Sequence, residues 1–288
     1  MMMDARPHRS VLYMPASNAR AIEKARALPC DAVIFDLEDA VAPEDKTAAR
    51  KSALEAVAAG GFGQRKVVIR VNAIETPWGA DDLRALGSSQ ADAVLIPKIA
   101  SVAEFSEVRG LIGPGLPVWG MVETPRALLN LGQIAAAAGD LGVTALVAGT
   151  NDLAKELRCR SGNFRAPLLP FLSLIVAAAR SAGIVALDGV SNKLDDDKAF
   201  TEECQQGLEW GFDGKTLIHP SQIASANRVF SPDPAEVEWA RKIVAAFEEP
   251  ENAGRAVIRL EGTMVELLHR EEAERTLKIA DQCGVLSS

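Results

Sequence analysis

The chain has 288 residues, enough for one large domain and a tail, and its 48% apolar and 24% charged content places it with ordinary globular proteins. A net charge of −8 gives no electrostatic pull toward nucleic acid or an anionic membrane, which excludes both as partners. A phosphorylated ligand stays open, because a few Lys and Arg can gather at one mouth.

Taken in order, the chain alternates short apolar runs with helix-forming stretches. SVLYMP (10–15) opens the set, and Ser17 can cap a helix running to about Leu28. VIFD–LED (33–39) follows, then a helix over 44–59 with Pro43 just ahead of it. VVIRVN (67–72) precedes a helix over 79–87, and AVLIPK (93–98) one over 101–109. VWGMVE (118–123) leads into 126–138, and ALVAGTND (145–152) into a helix that begins at DLAKEL. A further helix spans 167–182, GIVALDG (183–189) is followed by 195–209, and TLIHP (216–220) by 220–230. Strand, helix, strand at intervals near 30 residues implies a parallel sheet. The runs are apolar on both faces, as strands are when helices cover one side and a packed interior the other. An open doubly wound sheet would show the same alternation, but eight units in one run favour closure. The expected fold is α/β: a (β/α)8 TIM barrel over residues 1–230, with a C-terminal helical extension over 231–288.

In that extension, SPDPAEVEWARKIVAAFEEP reads as a helix entered through prolines. A strand or hairpin at 256–262 follows, then a charged helix from VELLHREE. So short a tail buries little apolar surface alone, and it is expected to pack on the barrel or on a neighbouring subunit. The four cysteines, Cys30, Cys159, Cys204 and Cys283, share no CxxC or Cys/His spacing and read as reduced thiols. MMMDARPHRS carries no apolar leader core, and no stretch approaches the ~20 apolar residues of a membrane span. A cytoplasmic location is expected.

A barrel of this kind puts its chemistry at the carboxyl ends of its strands, so the residues that end each run are the candidates. Glu123 and Asp152 end neighbouring strands. Two carboxylates completed by water and substrate oxygens suit Mg2+. The plainer alternative is a solvated loop acid at 123 and a helix N-cap at 152. Arg70 can grip a carboxylate or a thioester oxygen with its planar fork, or pair with an acid of the DLED segment, or both. Asp36, Glu38 and Asp39 crowd one strand end and would repel one another unless cations sit nearby, with Arg70 and Lys98 the candidates. A solvated acidic loop capping the 44–59 helix competes with that reading. GFDGKT is no phosphate-binding P-loop, since Glu209 stands where its first glycine belongs, and no GxGxxG occurs. His219, before Pro220, reads as a helix cap. With three histidines in all, His-based catalysis is a poor fit, and no nucleophile elbow supports a Ser–His–Asp triad.

The strings RSVLYMPASNARAIEKA, FDLEDAV, RVN, IPK, MVETPRA, AGTNDLA, LDGV, GFDGKTLIHPSQI and LEGTMVE stand in the order found in the citrate lyase β-subunit-like enzymes. That group includes malyl-CoA and citramalyl-CoA lyases, within the Mg2+-dependent aldolases acting on 2-oxo acids. The resemblance covers roughly 9–275. It implies a barrel with a C-terminal extension, assembled as a homotrimer (or a hexamer), that binds a CoA thioester or a small 2-oxo acid and cleaves a C–C bond. It implies Glu123 and Asp152 as metal ligands and Arg70 as the substrate-gripping arginine. Asp36, Glu38 and Asp39 resemble the acidic motif around the metal waters, and Lys98 the lysine of the LPK-type substrate motif. Tyr13, Arg20 and Lys24 fall where the resemblance places CoA phosphates and adenine. Glu266 stands where an aspartate of the family acts as general acid/base in a neighbouring subunit's site.

This chain departs from the pattern at Ala16 and Ala127, where glycine is usual, and at Asn151, where an acid is common. Glutamate at 266 keeps the charge but adds one methylene, about 1.5 Å of reach. A ~1 Å misplacement of a catalytic group can cost ~100-fold in rate. The expected reaction is cleavage of a 3-hydroxyacyl thioester to a 2-oxo acid and an acyl-CoA, with Arg70 facing the enolate. The alternatives are hydrolysis of a malyl-CoA-type thioester, the citryl-thioester lyase subunit of a citrate lyase complex, and a non-catalytic barrel that binds a metabolite.

Overall fold

The computed structural model describes residues 6–160 and 162–284, so the outermost ends of both expected domains lie outside the described residues. The described residues divide into two compact units, one from His8 to Asn227 and one of Arg6 and Pro7 with Arg228 to Gly284.

The first unit is a closed barrel of eight parallel strands in sequential order. These are β1 (Ser10–Pro15), β2 (Ala32–Asp36), β3 (Lys66–Arg70), β4 (Ala93–Ile96), β5 (Val118–Val122), β6 (Val143–Ala148), β7 (Val185–Asp188) and β8 (Gly214–Leu217). Closure, which alternation alone left open, comes from β1 pairing with β8 in the register Ser10↔Lys215, Val11↔Thr216 and Leu12↔Leu217. Between the strands run α1 (Ala19–Ala25), α2 (Lys46–Ala59), α3 (Gly79–Leu86), α4 (Val102–Ile112), α5 (Pro125–Leu141), α6 (Thr150–Glu156), α7 (Leu169–Ala182) and α8 (Asp197–Glu209), with α9 (Ile223–Val229) after β8. Residues alternating along each strand share one face. Val11, Ile34, Val68, Leu95, Trp119, Val147 and Leu187 meet as one buried cluster that fills the barrel.

Local chemistry sets the helix starts. Thr124 caps α5, its side chain accepting from Ala127 N at 3.1 Å, and Pro125 occupies the first turn, where a missing N–H costs nothing. Asn18, not Ser17, caps α1 by accepting from Ala21 N, so that helix begins one residue late and stops at Ala25. The helix expected from Glu44 starts as a 3-10 turn over Pro43–Asp45 and becomes α-helical only at Lys46. His219 does cap the turn after β8, its ring accepting from Ser221 N.

The second unit comprises α10 (Pro234–Glu248), β9 (Val257–Leu260), β10 (Thr263–Glu266) and α11 (Leu267–Gln282). Val265 and Glu266, expected to open the last helix, instead pair with Ile258 and Val257 in an antiparallel hairpin. The tail also holds more apolar packing than its length suggested. Ala240, Ile243 and Phe247, at helical spacing on α10, close on Ile258, Val265 and Ala273. Among the described residues no helix is long and apolar enough to cross a membrane.

Candidate active site

The alternation that fills the barrel continues to its carboxyl-end mouth, where polar side chains take the apolar positions. Ile34 gives way to Asp36, Val68 to Arg70 and Val11 to Tyr13. Asp36 and Arg70 are also register partners across β2 and β3. Their side chains form a fork: Arg70 Nε and Nη2 donate to Asp36 Oδ1 and Oδ2, each at 2.7 Å. Arg70 Nη1 lies 3.0 Å from Glu38 and 3.4 Å from Asp39. The salt bridge to the DLED segment therefore exists, and it occupies most of the guanidinium. Asp36 also accepts from Glu38 N and Ala40 N, which shapes the loop. Lys46 is buried under that loop and donates to the carbonyls of Leu37 and Glu38. Asp36 and Glu38 are buried, so the solvated-loop reading holds only for Asp39.

Glu123 follows β5 and is 1% exposed. Its Oε1 accepts from Lys98 N at 2.7 Å, while Lys98 Nζ donates to Glu38 Oε1 at 2.9 Å. Lys98 adopts a left-handed φ of 54°, which turns its amide back toward Glu123. Burial alone would lower the Lys98 ammonium, but its bond and charge contact with Glu38 leave it raised. The Glu123 carboxyl is pushed up to about 8, first by burial and then by the charges of Glu38 and Asp152. Asp152, half-buried in the first turn of α6, is thus close enough for its charge to act on Glu123. Gly149 makes this proximity possible, since a Cβ there would sit 2.4 Å from Glu123 Cβ and 2.7 Å from Oε2.

Five carboxylates (Asp36, Glu38, Asp39, Glu123, Asp152) thus face three cations (Arg70, Lys98, Lys46). The mouth therefore holds two more carboxylates than cations. A divalent cation fits that deficit. Among the described residues no group of three or more His, Cys, Asp or Glu side chains could cage an ion alone. Two carboxylates with the remaining positions left to water and ligand suit Mg2+. Among the cysteines, burial pushes the Cys30 and Cys204 thiols up to about 11 and about 12, where they are poor nucleophiles.

Not every expected site residue converges there. Tyr13 parts from Arg20 and Lys24: its ring lies inside the mouth, 4.9 Å from Arg70 Cζ, whereas the other two are exposed on α1. Glu266 belongs to the second unit, exposed at the end of β10, where it caps α11. A second charged cluster escaped the sequence reading. Asp188 and Lys215, register partners on β7 and β8, are both fully buried and lie 2.8 Å apart. Arg165 and Glu203 join them at 2.7 Å from Asp188 and 2.8 Å from Lys215. Their positions alternate with the inward ones, which puts the cluster between the sheet and α8 and gives it a structural role. The signal was the charged pair LD and GK, standing inside or at the ends of apolar runs.

A closed parallel barrel with acids gathered at its strand ends defines a (β/α)8 protein of the enzyme type. Residues 9–220 match the HpcH/HpaI aldolase/citrate lyase family, and the chain belongs to that family. It is 47% identical to a (3S)-malyl-CoA thioesterase of Cereibacter sphaeroides (strain KD131 / KCTC 12085), covering 98% of this chain and 97% of that protein. It is 32% identical to the citrate lyase subunit beta of Escherichia coli (strain K12), covering 97% of this chain and 95% of the other. Among solved structures, the protein CitE from Mycobacterium tuberculosis, in complex with magnesium, acetoacetate and coenzyme A, superposes with a TM-score of 0.79. That match has 31% identity and covers 96% of this chain and 100% of CitE.

Proposed function

We propose that this protein hydrolyses a malyl-CoA-type 3-hydroxyacyl thioester in a Mg2+-dependent reaction. The observation that carries this reading is the buried Glu123 at the strand ends, beside the acidic loop that Arg70 and Lys98 hold, where burial first and then the charges of Glu38 and Asp152 push its carboxyl up. The near-half identity to a malyl-CoA thioesterase over almost the whole chain supports hydrolysis over other outcomes. Glu123 and Asp152 would hold the ion. Bound there, Mg2+ supplies Lewis acidity toward the oxygens of the substrate.

The chain's own residues do the rest. Lys98, half-exposed beside Glu38, attracts the substrate carboxylate at the rim. Arg70, fixed by Asp36, keeps positive charge beneath the thioester. Glu266 from a second copy of the chain serves as the base for the attacking water, in a homotrimeric assembly. Exposed apolar residues next to it on the hairpin and helix, Met264 and Leu268, support such an assembly. Water's oxygen bonds to the thioester carbon, the C–S bond breaks, and the thiolate leaves and is protonated. The products are a hydroxy diacid and free CoA.

The 32% identity to a citrate lyase subunit favours a second reading, C–C cleavage at the same site. Incubating purified protein with (3S)-malyl-CoA and Mg2+ separates the two. Malate with free thiol is the expected outcome, and glyoxylate with acetyl-CoA would select the lyase. Chelation should abolish turnover, and Glu123→Gln should lower kcat/KM on the order of a thousand-fold, equivalent to several kcal/mol of lost transition-state stabilisation. An intact thioester in every arm would overturn the reading.

A further inference from the structure

An oxygen that gains negative charge in a dry site needs a fixed donor. Arg70 is the cation expected there, but its fork already faces Asp36 at 2.7 Å on two nitrogens and Glu38 at 3.0 Å on the third. Releasing it would leave buried carboxylates unpaired, so the mouth calls for another donor. Tyr13 is the chain's sole tyrosine. It continues the inward alternation of β1 from Val11, which puts it on top of the apolar cluster that fills the barrel. Its ring is held 4.9 Å from Arg70 Cζ, within cation–π range. Among the described residues its hydroxyl meets a thioether, Met121 Sδ at 4.0 Å. Thioether sulfur is a weak acceptor, and a buried phenol ordinarily finds a better one. Burial pushes this phenol up, so at neutral pH it is a neutral donor. Arg70 Nη1 reaches the same sulfur at 3.9 Å, so the hydroxyl and the guanidinium that pairs with Asp36 and Glu38 meet at one atom of the mouth.

We propose that Tyr13 is a catalytic residue whose phenol donates the hydrogen bond that holds the thioester carbonyl oxygen as negative charge builds on it. Arg70 is then a positioning residue, acting through the ring it supports. The proposal rests on the thioester reading above and moves Tyr13 from the adenine and phosphate end of CoA, where the family resemblance put it, to the acyl end.

Two measurements test it. In steady-state kinetics with (3S)-malyl-CoA, Tyr13→Phe should lower kcat by ~100-fold, the scale of losing one oxyanion donor. KM and Mn2+ affinity should stay within a factor of about three of wild type, and the melting temperature within about 5 °C. A kcat within threefold of wild type would overturn the proposal, as would a loss that tracks Mn2+ affinity or folding. Because the tyrosine is single, protein grown on 3-fluorotyrosine gives one 19F line from this ring. Acetyl-CoA with Mg2+ should shift that line, and 3′,5′-ADP, which carries only the nucleotide end, should not. A shift with 3′,5′-ADP equal to that with acetyl-CoA would return Tyr13 to the nucleotide end and overturn the proposal. Wild-type protein that leaves malyl-CoA intact would sink the hydrolysis reading alone, since the fluorine arm reports binding without turnover.

Discussion

Two buried lysines show how one residue type serves different ends. Lys46 spends its ammonium on the carbonyls of Leu37 and Glu38, holding the acidic loop in shape. Lys215 instead neutralises Asp188 between the sheet and α8. Burial alone would raise the Asp188 carboxyl, but Lys215 and Arg165 outweigh it and hold the group below the usual carboxylate range. Lys215, raised by Asp188 and Glu203 against the effect of burial, is the complement. The Asp188 contribution is complete above the ordinary carboxylate range and is lost as pH falls through its lowered value. The Lys215 contribution is complete below the ordinary lysine range and is lost as pH rises through its raised value. Asp188→Asn should therefore destabilise by about 3–5 kcal/mol across neutral pH, because it leaves Lys215 and Arg165 with one carboxylate, Glu203, between them. Denaturant titration should show the gap to wild type closing only below about pH 4. This cluster was illegible for a definite reason. Asp188 and Lys215 lie on different runs, and only the pairing register, which no single run encodes, sets them side by side. Asp36 and Arg70 depend on register in the same way, yet were found because Asp36 stands in a crowd of acids with Glu38 and Asp39 that calls for a cation, and Arg70 ends the next run.

At the scale of elements, the strands were legible because buried parallel strands are continuous apolar runs that stop at a polar group. Their number was legible in the sequence, while their order around a closed sheet is set by the β1–β8 pairing. Cap residues were less so, since Ser17 and Asn18 have similar capping chemistry and only backbone geometry chose Asn18. The hairpin end at 265–266 was missed because VELLHREE has the composition of a helix, while Val265 is pulled into β10 by the apolar face of α10. Gly149 lies between β6 and α6 and shows how an element boundary governs the site. Its missing side chain leaves room for Glu123. Gly149→Ala should displace that carboxylate and weaken Mn2+ binding by at least ~10-fold, with a stability loss of about 1–3 kcal/mol from overpacking. Calorimetric Mn2+ titration beside a thermal melt would check it; unchanged affinity would show that Glu123 does not hold the ion.

For the molecule as a whole, the question that alternation could not answer was whether the sheet closes. The answer lies at the β1–β8 seam, where Gly214 passes so close to the chain that a Cβ would sit 1.8 Å from His8 O. Gly214→Ala should force this seam apart, costing about 3 kcal/mol or more, and should broaden as well as lower the thermal transition. A melt like that of wild type would mean that the strands tolerate separation there.

That seam also governs how the protein is made. Because β1 leaves the ribosome seven strands ahead of its β8 neighbour, a nascent chain makes the rest of the barrel while the seam edge of β1 has no strand to pair with. Pairings this distant form slowly, so the half-made barrel is the species most exposed to aggregation and most in need of chaperone cover.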